Sequence, residues 1–272
     1  MIVANDGAIR IAVQRLGTQG AERREEAVAE EVAVALSYNG ISHAVMMATP
    51  LDLEDFALGF SLTEGIVADA SEVFDIEVEP AGRGIEVRLR IAERRMAALA
   101  ERRRSLAGRT GCGLCGVDSL AAALRPVHEV VAPARISAGA IRLAMAALPA
   151  MQTLNRAHGA LHATGWVTPD GALVAVREDV GRHNALDKLA GALAQAARRS
   201  GRPTGPGFVL ATSRCSYEMV QKAAAIGASA IAAVSAPTSL AIETAQAARI
   251  ALAAFVRDDR LTLYAGADLV DP

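Results

Sequence analysis

FVLATSRCSYEMVQKAAAIGASAIAAVSAPTSLAIETAQAARIALAAFV, residues 208–256, is the stretch that decides the fold. Short apolar runs at 208–212, 230–234 and 253–256 read as strands, and the longer segments 217–226 and 239–252 between them read as helices. A βαβαβ run of this kind predicts a parallel sheet covered by helices. Its most apolar part, 223–234, is mostly Ala and Gly and too short to span a bilayer, so it reads as buried helix and strand. In such sheets ligands bind beyond the carboxyl ends of the strands, where loops feed helix N-termini. Three loops qualify. Thr212-Ser213-Arg214 offers hydroxyls, a guanidinium and a following helix start that could hold a phosphate. Ser235-Ala236-Pro237-Thr238-Ser239 has the same ingredients without the cation. Phe255-Val256-Arg257-Asp258-Asp259-Arg260 brings two more arginines just after a strand. Singly, Ser and Thr at a helix start are caps in most proteins; aimed together at one sheet edge, they point to a nucleotide-like ligand.

Upstream, Ser137 can cap a helix running toward Asn155, a turn at Pro169-Asp170-Gly171 joins two strands, and a helix over 183–199 is stopped by Gly201. The string 178–188 packs Glu178, Asp179, Arg182, His183, Asn184, Asp187 and Lys188 around a strand-to-helix turn. That density in an alanine-rich chain favours a functional role. The first hundred residues read differently. Val32, Val34, Leu36 and Tyr38 alternate with small or polar residues; Asn39-Gly40 turns; Ile41, His43, Val45 and Met47 resume a period of two. Thr49 is the expected cap and Pro50 the first residue of a helix that presents Leu53, Phe56 and Phe60 and ends at Gly65. A second hairpin follows, with Phe74, Ile76 and Val78 against Ile85, Val87, Leu89 and Ile91, and then a charged helix over 92–104. The fold class is α/β, with a small mixed α+β domain over 1–105 and an α/β domain over 106–272.

The 272 residues carry 28 basic and 30 acidic groups, a net charge of -2, which provides no overall field to attract nucleic acid or an anionic membrane. Any anionic ligand must be gripped locally. Only Lys188 and Lys222 are lysine, so the remaining basic groups are arginines, which grip phosphate through paired donors; a GC-rich genome would write the same bias. The N-terminus lacks the pattern of an export signal, and three cysteines make no disulfide framework, which together place the protein in the reducing cytoplasm. There a close cysteine pair means metal or thiol chemistry.

Cys112 and Cys115 form such a pair inside Gly108-Arg109-Thr110-Gly111-Cys112-Gly113-Leu114-Cys115-Gly116. Four glycines let backbone amides approach a sulfur anion closely. A thiol before the helical pattern at 118–124, with Arg109 and the 102–104 arginines near it in sequence, should ionise readily, and the thiolate is the form that attacks sulfur. Zinc competes, because Cys-x-x-Cys is half of a tetrahedral set and His158 and His162 are spaced to share a helical face. No second Cys-x-x-Cys and no preceding His-x-Glu completes a zinc ribbon or deaminase set. A thioredoxin-type pair fits less well, since no first βαβ strand precedes it. Cys215 reads as a small residue at a helix start.

Taken in order, five sets of strings resemble the FdhD proteins, the formate dehydrogenase accessory sulfurtransferases. They are Thr49-Pro50-Leu51-Asp52-Leu53-Glu54-Asp55-Phe56 with Gly59-Phe60 and Glu64-Gly65; the Cys-Gly-Leu-Cys-Gly loop; the string 178–188; Ser216-Tyr217-Glu218-Met219-Val220-Gln221-Lys222; and the 235–239 loop with the 255–260 tail. The resemblance implies that a cysteine of the pair accepts persulfide sulfur from a cysteine desulfurase. It implies delivery to the molybdenum bis-pterin guanine dinucleotide cofactor that formate dehydrogenase needs. It also implies a cytidine-deaminase-like α/β domain, a homodimer, and a cofactor segment at Phe255, Val256, Arg257, Asp258, Asp259 and Arg260. With a guanine nucleotide as the ligand or its mimic, Arg182, His183, Asn184, Lys188, Ser213, Arg214, Ser235 and Thr238 join that segment as candidate contacts. Cys112 is then the expected persulfide carrier and Cys115 its assistant. His162 matches the family pattern; Gly111, His158, Asp258 and Asp259 depart from it. A cofactor-holding chaperone and a zinc hydrolase of deaminase type are the readings from other classes.

Overall fold

A computed structural model describes residues 7–18, 20–106 and 127–272, without the side chains of residues 100–106. The stretch 208–256 builds the centre of a six-stranded sheet. In it β8 (His162–Val167), β9 (Leu173–Asp179), β10 (Phe208–Ala211), β11 (Ala230–Ala233), β12 (Ala251–Ala254) and β13 (Thr262–Ala265) lie in the order β13-β12-β11-β10-β8-β9. The pairs β10–β11 and β11–β12 are parallel, as the βαβαβ pattern requires, while β8 and β13 run antiparallel to their neighbours; apart from this sheet, the short β7 (Ile136–Ser137) pairs in parallel with β14 (Val270–Asp271). Both faces are covered, so successive residues of each central strand go to opposite cores. Phe208 and Leu210 pack with Ile141, Met145 and Leu148 of α3 (Ala138–Met151). Val209 and Ala211 pack with residues of α5 (Arg182–Ser200), α6 (Tyr217–Ala225) and α7 (Ser239–Ala248), among them Leu186, Met219 and Ala245. Burial on both sides is why these strands read as continuous apolar runs rather than as alternation.

The last helix–strand boundary differs from the expectation of a helix to 252. Helix α7 ends at Ala248 because Arg249 takes the left-handed conformation (φ 56°) and Ile250 N–H bonds back to Ala245 O at 3.1 Å. Strand β12 then starts at Ala251, in register with Ala230. No glycine marks this cap, and so the periodicity runs through it unannounced. Ser137 caps α3 as expected, its Oγ accepting from Ala140 N–H at 2.9 Å, but the helix stops at Met151 and a single turn, α4 (Asn155–His158), follows.

The N-terminal sheet has the order β4-β3-β6-β5, from β3 (Val32–Tyr38), β4 (Ile41–Ala48), β5 (Val73–Ala81) and β6 (Gly84–Ile91). Asn39 (φ 46°) and Gly40 (φ 81°) form the tight turn that their sequence signalled. Its inner face covers α1 (Leu53–Thr63) and receives Leu99 and Met96 of α2 (Glu93–Leu106). Thr49 does not cap α1. Asp52 is the N-cap, left-handed at φ 52° and making no side-chain cap bond, because Thr49 is held elsewhere by partners described below. A further pair, β1 (Ala8–Gly17) and β2 (Gly20–Ala29), forms a two-stranded ribbon in full register; the charge of its second strand hides it from a reading based on apolar periodicity.

The N-terminal sheet meets the larger one through α1 and α5. A Cβ built on Gly59 would lie 1.7 Å from Asp187 O, and one built on Gly191 would lie 1.9 Å from Asp55 O, so the two helices cross backbone against backbone. Among the described residues no helix is long and apolar enough to cross a membrane.

Candidate functional site

Strands β9, β10, β11 and β12 all end at one edge of the large sheet, where antiparallel β8 begins with His162 opposite Asp179. The loops predicted from sequence to bind a ligand therefore lie side by side. Thr212 N–H donates to Ala163 O at 3.1 Å, Cys215 N–H to Ala236 O at 3.1 Å and Thr238 N–H to Cys215 O at 3.0 Å. Arg257 Nη1 donates to Val234 O at 2.7 Å and to Val256 O at 2.8 Å, tying the β11 loop to the β12 loop. Its own N–H donates to Arg260 O at 2.8 Å and closes the 257–260 turn. Helices α5, α6 and α7 all start at this edge, so their positive ends add to the arginines.

The candidate residues differ in what they offer. Arg214, Arg257, Asp258, Asp259 and Arg260 are exposed, with Arg260 Nη1 3.2 Å from Asp259 Oδ2. Phe255 is 41% exposed and left-handed at φ 52°, a conformation costly for a bulky residue and a mark of a backbone shaped by its neighbours. Val256, by contrast, is buried in the core beneath α3. Ser235 is half-buried, Thr238 caps α7 by accepting from Ala241 N–H at 3.3 Å, and Ser213 is buried with its hydroxyl donating to Arg214 O at 2.8 Å.

The β9–α5 turn brings Arg182 and His183 to the same edge. Arg182 Nε is buried and has no hydrogen-bond partner among the described residues. His183 Nε2 stands 3.1 Å from Glu218 Oε2 and 3.4 Å from Ser216 Oγ. The hydrogen bond from His183 holds the Glu218 carboxyl below its usual range despite partial burial. Across the turn, burial and then the Arg182 and His183 charges push the His162 imidazole down, which favours its neutral form. Asn184 and Lys188 point the other way: both are buried and bonded to protein groups.

Glu218 and Thr49, which stood in the sequence only among the strings of the family resemblance, take part in this arrangement together with Asp179. The dense 178–188 string pointed to Asp179, but its partner Thr49 lies 130 residues away and looks like an ordinary helix cap. His158 and His162 do not share a helical face; His158 ends α4, Gly159 turns left-handed, and His162 opens β8. Among the described residues no three metal-ligating side chains converge. Cys112 and Cys115 lie outside the described residues. Cys215, the cysteine within them, is buried, and burial pushes its thiol up to about 12.

A donor set of partly free arginines, helix N-termini and one strained aromatic suits a phosphate-bearing ligand with a planar base. The chain has close relatives with which to compare this edge. It is 58% identical over 238 residues to the sulfur carrier protein FdhD of Cupriavidus necator, covering 88% of this chain and 81% of that one. It is 51% identical over 250 residues to the protein of the same name from Bordetella petrii, covering 92% and 88%. The solved structure of a formate dehydrogenase accessory protein from Desulfotalea psychrophila superposes with a TM-score of 0.73 over 97% of this chain and 99% of that one; at 23% identity this likeness speaks for the fold alone. The FdhD/NarQ family pattern matches residues 29–271, which takes in both sheets, the cysteine pair and every loop of the carboxyl edge, and the chain belongs to the FdhD/NarQ family.

Proposed function

We propose that this chain is a sulfur carrier. A thiol of the Cys112–Cys115 pair receives sulfur from a cysteine desulfurase and delivers it to a molybdenum bis-pterin guanine dinucleotide cofactor destined for formate dehydrogenase. The observation that carries the reading is membership of a family whose compared relatives are named sulfur carriers, with the Cys-x-x-Cys inside the matched residues. In the loading step the Cys112 thiolate attacks the outer sulfur of the donor's persulfide. A new S–S bond forms as the donor's S–S bond breaks, and the donor's thiolate leaves and takes up the proton that Cys112 lost. The sulfane sulfur changes hands with no net oxidation. Cys215 is a poor competitor, since its thiol is buried and stays protonated near neutrality.

The carboxyl edge is the place for the acceptor. Arg182, Arg214, Arg257 and Arg260 would meet the phosphates together with the starts of α5, α6 and α7, and the exposed ring of Phe255 would lie against the base. The cofactor's part when bound is to accept the sulfur. His183, oriented by Glu218, stands where it can hold or pass a proton. The protein works in the cytoplasm as a homodimer, a state that sedimentation at micromolar concentration would report.

Incubation with a cysteine desulfurase and cysteine is expected to add one sulfur to the peptide containing Cys112, seen by mass spectrometry. Cys112→Ala is expected to lose both the adduct and formate dehydrogenase activation. A Cys112→Ala, Cys115→Ala double variant that still activates the enzyme would overturn the reading.

A further inference from the structure

Two strings far apart in sequence meet beneath the carboxyl edge. Asp179, fully buried, ends β9, and its carboxylate collects four donors. Oδ1 accepts from Gly181 N–H at 2.8 Å and Asn184 Nδ2 at 2.9 Å; Oδ2 accepts from Thr49 N–H at 3.0 Å and lies 2.7 Å from Lys188 Nζ. The end of β4 and the residue that follows it answer with three acceptors: Thr49 O takes Lys188 Nζ at 2.9 Å, Met47 O takes Asn184 Nδ2 at 2.8 Å, and Thr49 Oγ1 takes Val180 N–H at 3.2 Å.

Asp179, Val180, Gly181 and Asn184 are thereby each bonded within this cluster, while the side chains of Arg182 and His183 take no part in it. Gly181, the N-cap of α5, has no side chain to satisfy the helix start. The Asp179 carboxylate instead takes the Gly181 N–H and the Asn184 side-chain amide. A buried ion pair of this kind contributes little more than apolar packing would; its distinctive effect is to hold the hydrogen-bonded groups in a single geometry.

We propose that Asp179, braced by Thr49 and Lys188, is a positioning residue of the ligand site: it sets the backbone of 180–184 so that Arg182 and His183 face the carboxyl edge. Through Thr49 the N-terminal sheet becomes a working part of that site rather than an appendage. Asn184 and Lys188 then serve the ligand through Asp179, without touching it. The inference rests on the proposed role of this edge as the acceptor site.

Guanosine diphosphate is the probe, titrated by calorimetry into the full chain at a temperature where circular dichroism shows each variant folded. Asp179→Asn turns an amide donor toward donors and is expected to weaken binding by about tenfold or more, a loss of about 1.4 kcal/mol. Thr49→Val, nearly the same shape without the hydroxyl, is expected to weaken it by about threefold, while Thr49→Ser, which keeps the acceptor, stays within about twofold. Desulfurase-driven sulfur loading of Cys112 should remain within about twofold of wild type in all three, a split that a merely structural role would not produce. Folded Asp179→Asn and Thr49→Val proteins that bind the nucleotide like wild type would overturn the proposal, as would loading and binding that fall together with the folded fraction. A wild-type chain that loads sulfur yet binds no guanine nucleotide would instead overturn the reading of the edge, and this inference with it. Should Asp179→Asn fail to fold, the Thr49→Val and Thr49→Ser pair decides.

Discussion

Glu72 shows how much one side chain can organise. It ends the short 3-10 turn Ala70–Glu72 and accepts from Ala68 N–H at 2.7 Å, from Arg94 Nε at 3.1 Å and from Arg95 Nε at 2.8 Å, joining the turn to the start of α2. The hydrogen bonds from Arg94, Arg95 and Ala68 lower its carboxyl from the ordinary 4.5 to about 2. A carboxylate depressed in the folded state contributes stability that is complete above its unfolded value and fades as pH falls through its folded value. Urea denaturation is therefore expected to show Glu72→Gln less stable than wild type at pH 7, with the gap narrowing below about pH 4.5 and closing near pH 2. A gap that stayed constant from pH 7 to pH 2 would contradict this. At this scale the sequence located the chemistry and the structure gave it direction. Asn184, Lys188 and Ser213 stand beside the carboxyl edge but face inward. Phe255 and Arg214 face out. Which way a side chain points depends on packing partners that are remote in sequence.

Gly59 and Gly191 look like flaws in their helices, since each costs about 1 kcal/mol relative to alanine in an isolated helix. The α1–α5 crossing explains them. Each admits the other helix's carbonyl oxygen where a methyl group would collide with it. Gly59→Ala and Gly191→Ala are accordingly expected to lower unfolding free energy by about 1–3 kcal/mol or more, against the sign of helix propensity. Thermal or denaturant melts that showed either variant more stable than wild type would disprove the close crossing. The helices themselves were legible from apolar spacing and from the stops at Gly65 and Gly201. Their pairing was not, because a small residue in a helix reports a lost side chain and says nothing of what fills the space.

Across the whole molecule, two buried polar clusters tie the N-terminal sheet to the larger one. The first centres on Asp179. In the second, Lys222 Nζ lies 2.8 Å from Glu64 Oε1 and 2.9 Å from Asp187 Oδ1, and also meets Thr63 Oγ1 at 3.0 Å. Burial alone would push the Lys222 ammonium down, but the Asp187 and Glu64 carboxylates more than offset it and hold the amine charged. Separating the two sheets would take Glu64 away from Lys222 and the Thr49 and Met47 backbone groups away from the Asp179 cluster, giving up the hydrogen bonds that join them. The described units are therefore expected to melt in one cooperative transition, with calorimetric and van't Hoff enthalpies equal; two resolved transitions would show that the clusters do not couple them.

The sequence by itself determined what is local. Apolar periodicity named most strands and helices, glycine and Asn-Gly signals placed most turns, and the βαβαβ run already aimed the 212–214, 235–239 and 255–260 loops at one edge. These properties depend on hydrogen bonds and burial within a few residues. Tertiary structure alone decided that Thr49 buttresses Asp179, that α1 and α5 touch through glycines, that α7 stops at Arg249, and that charged strands pair into a ribbon. Each is a contact or backbone state selected by groups distant along the chain, and periodicity carries no information about which distant partner will satisfy a buried donor.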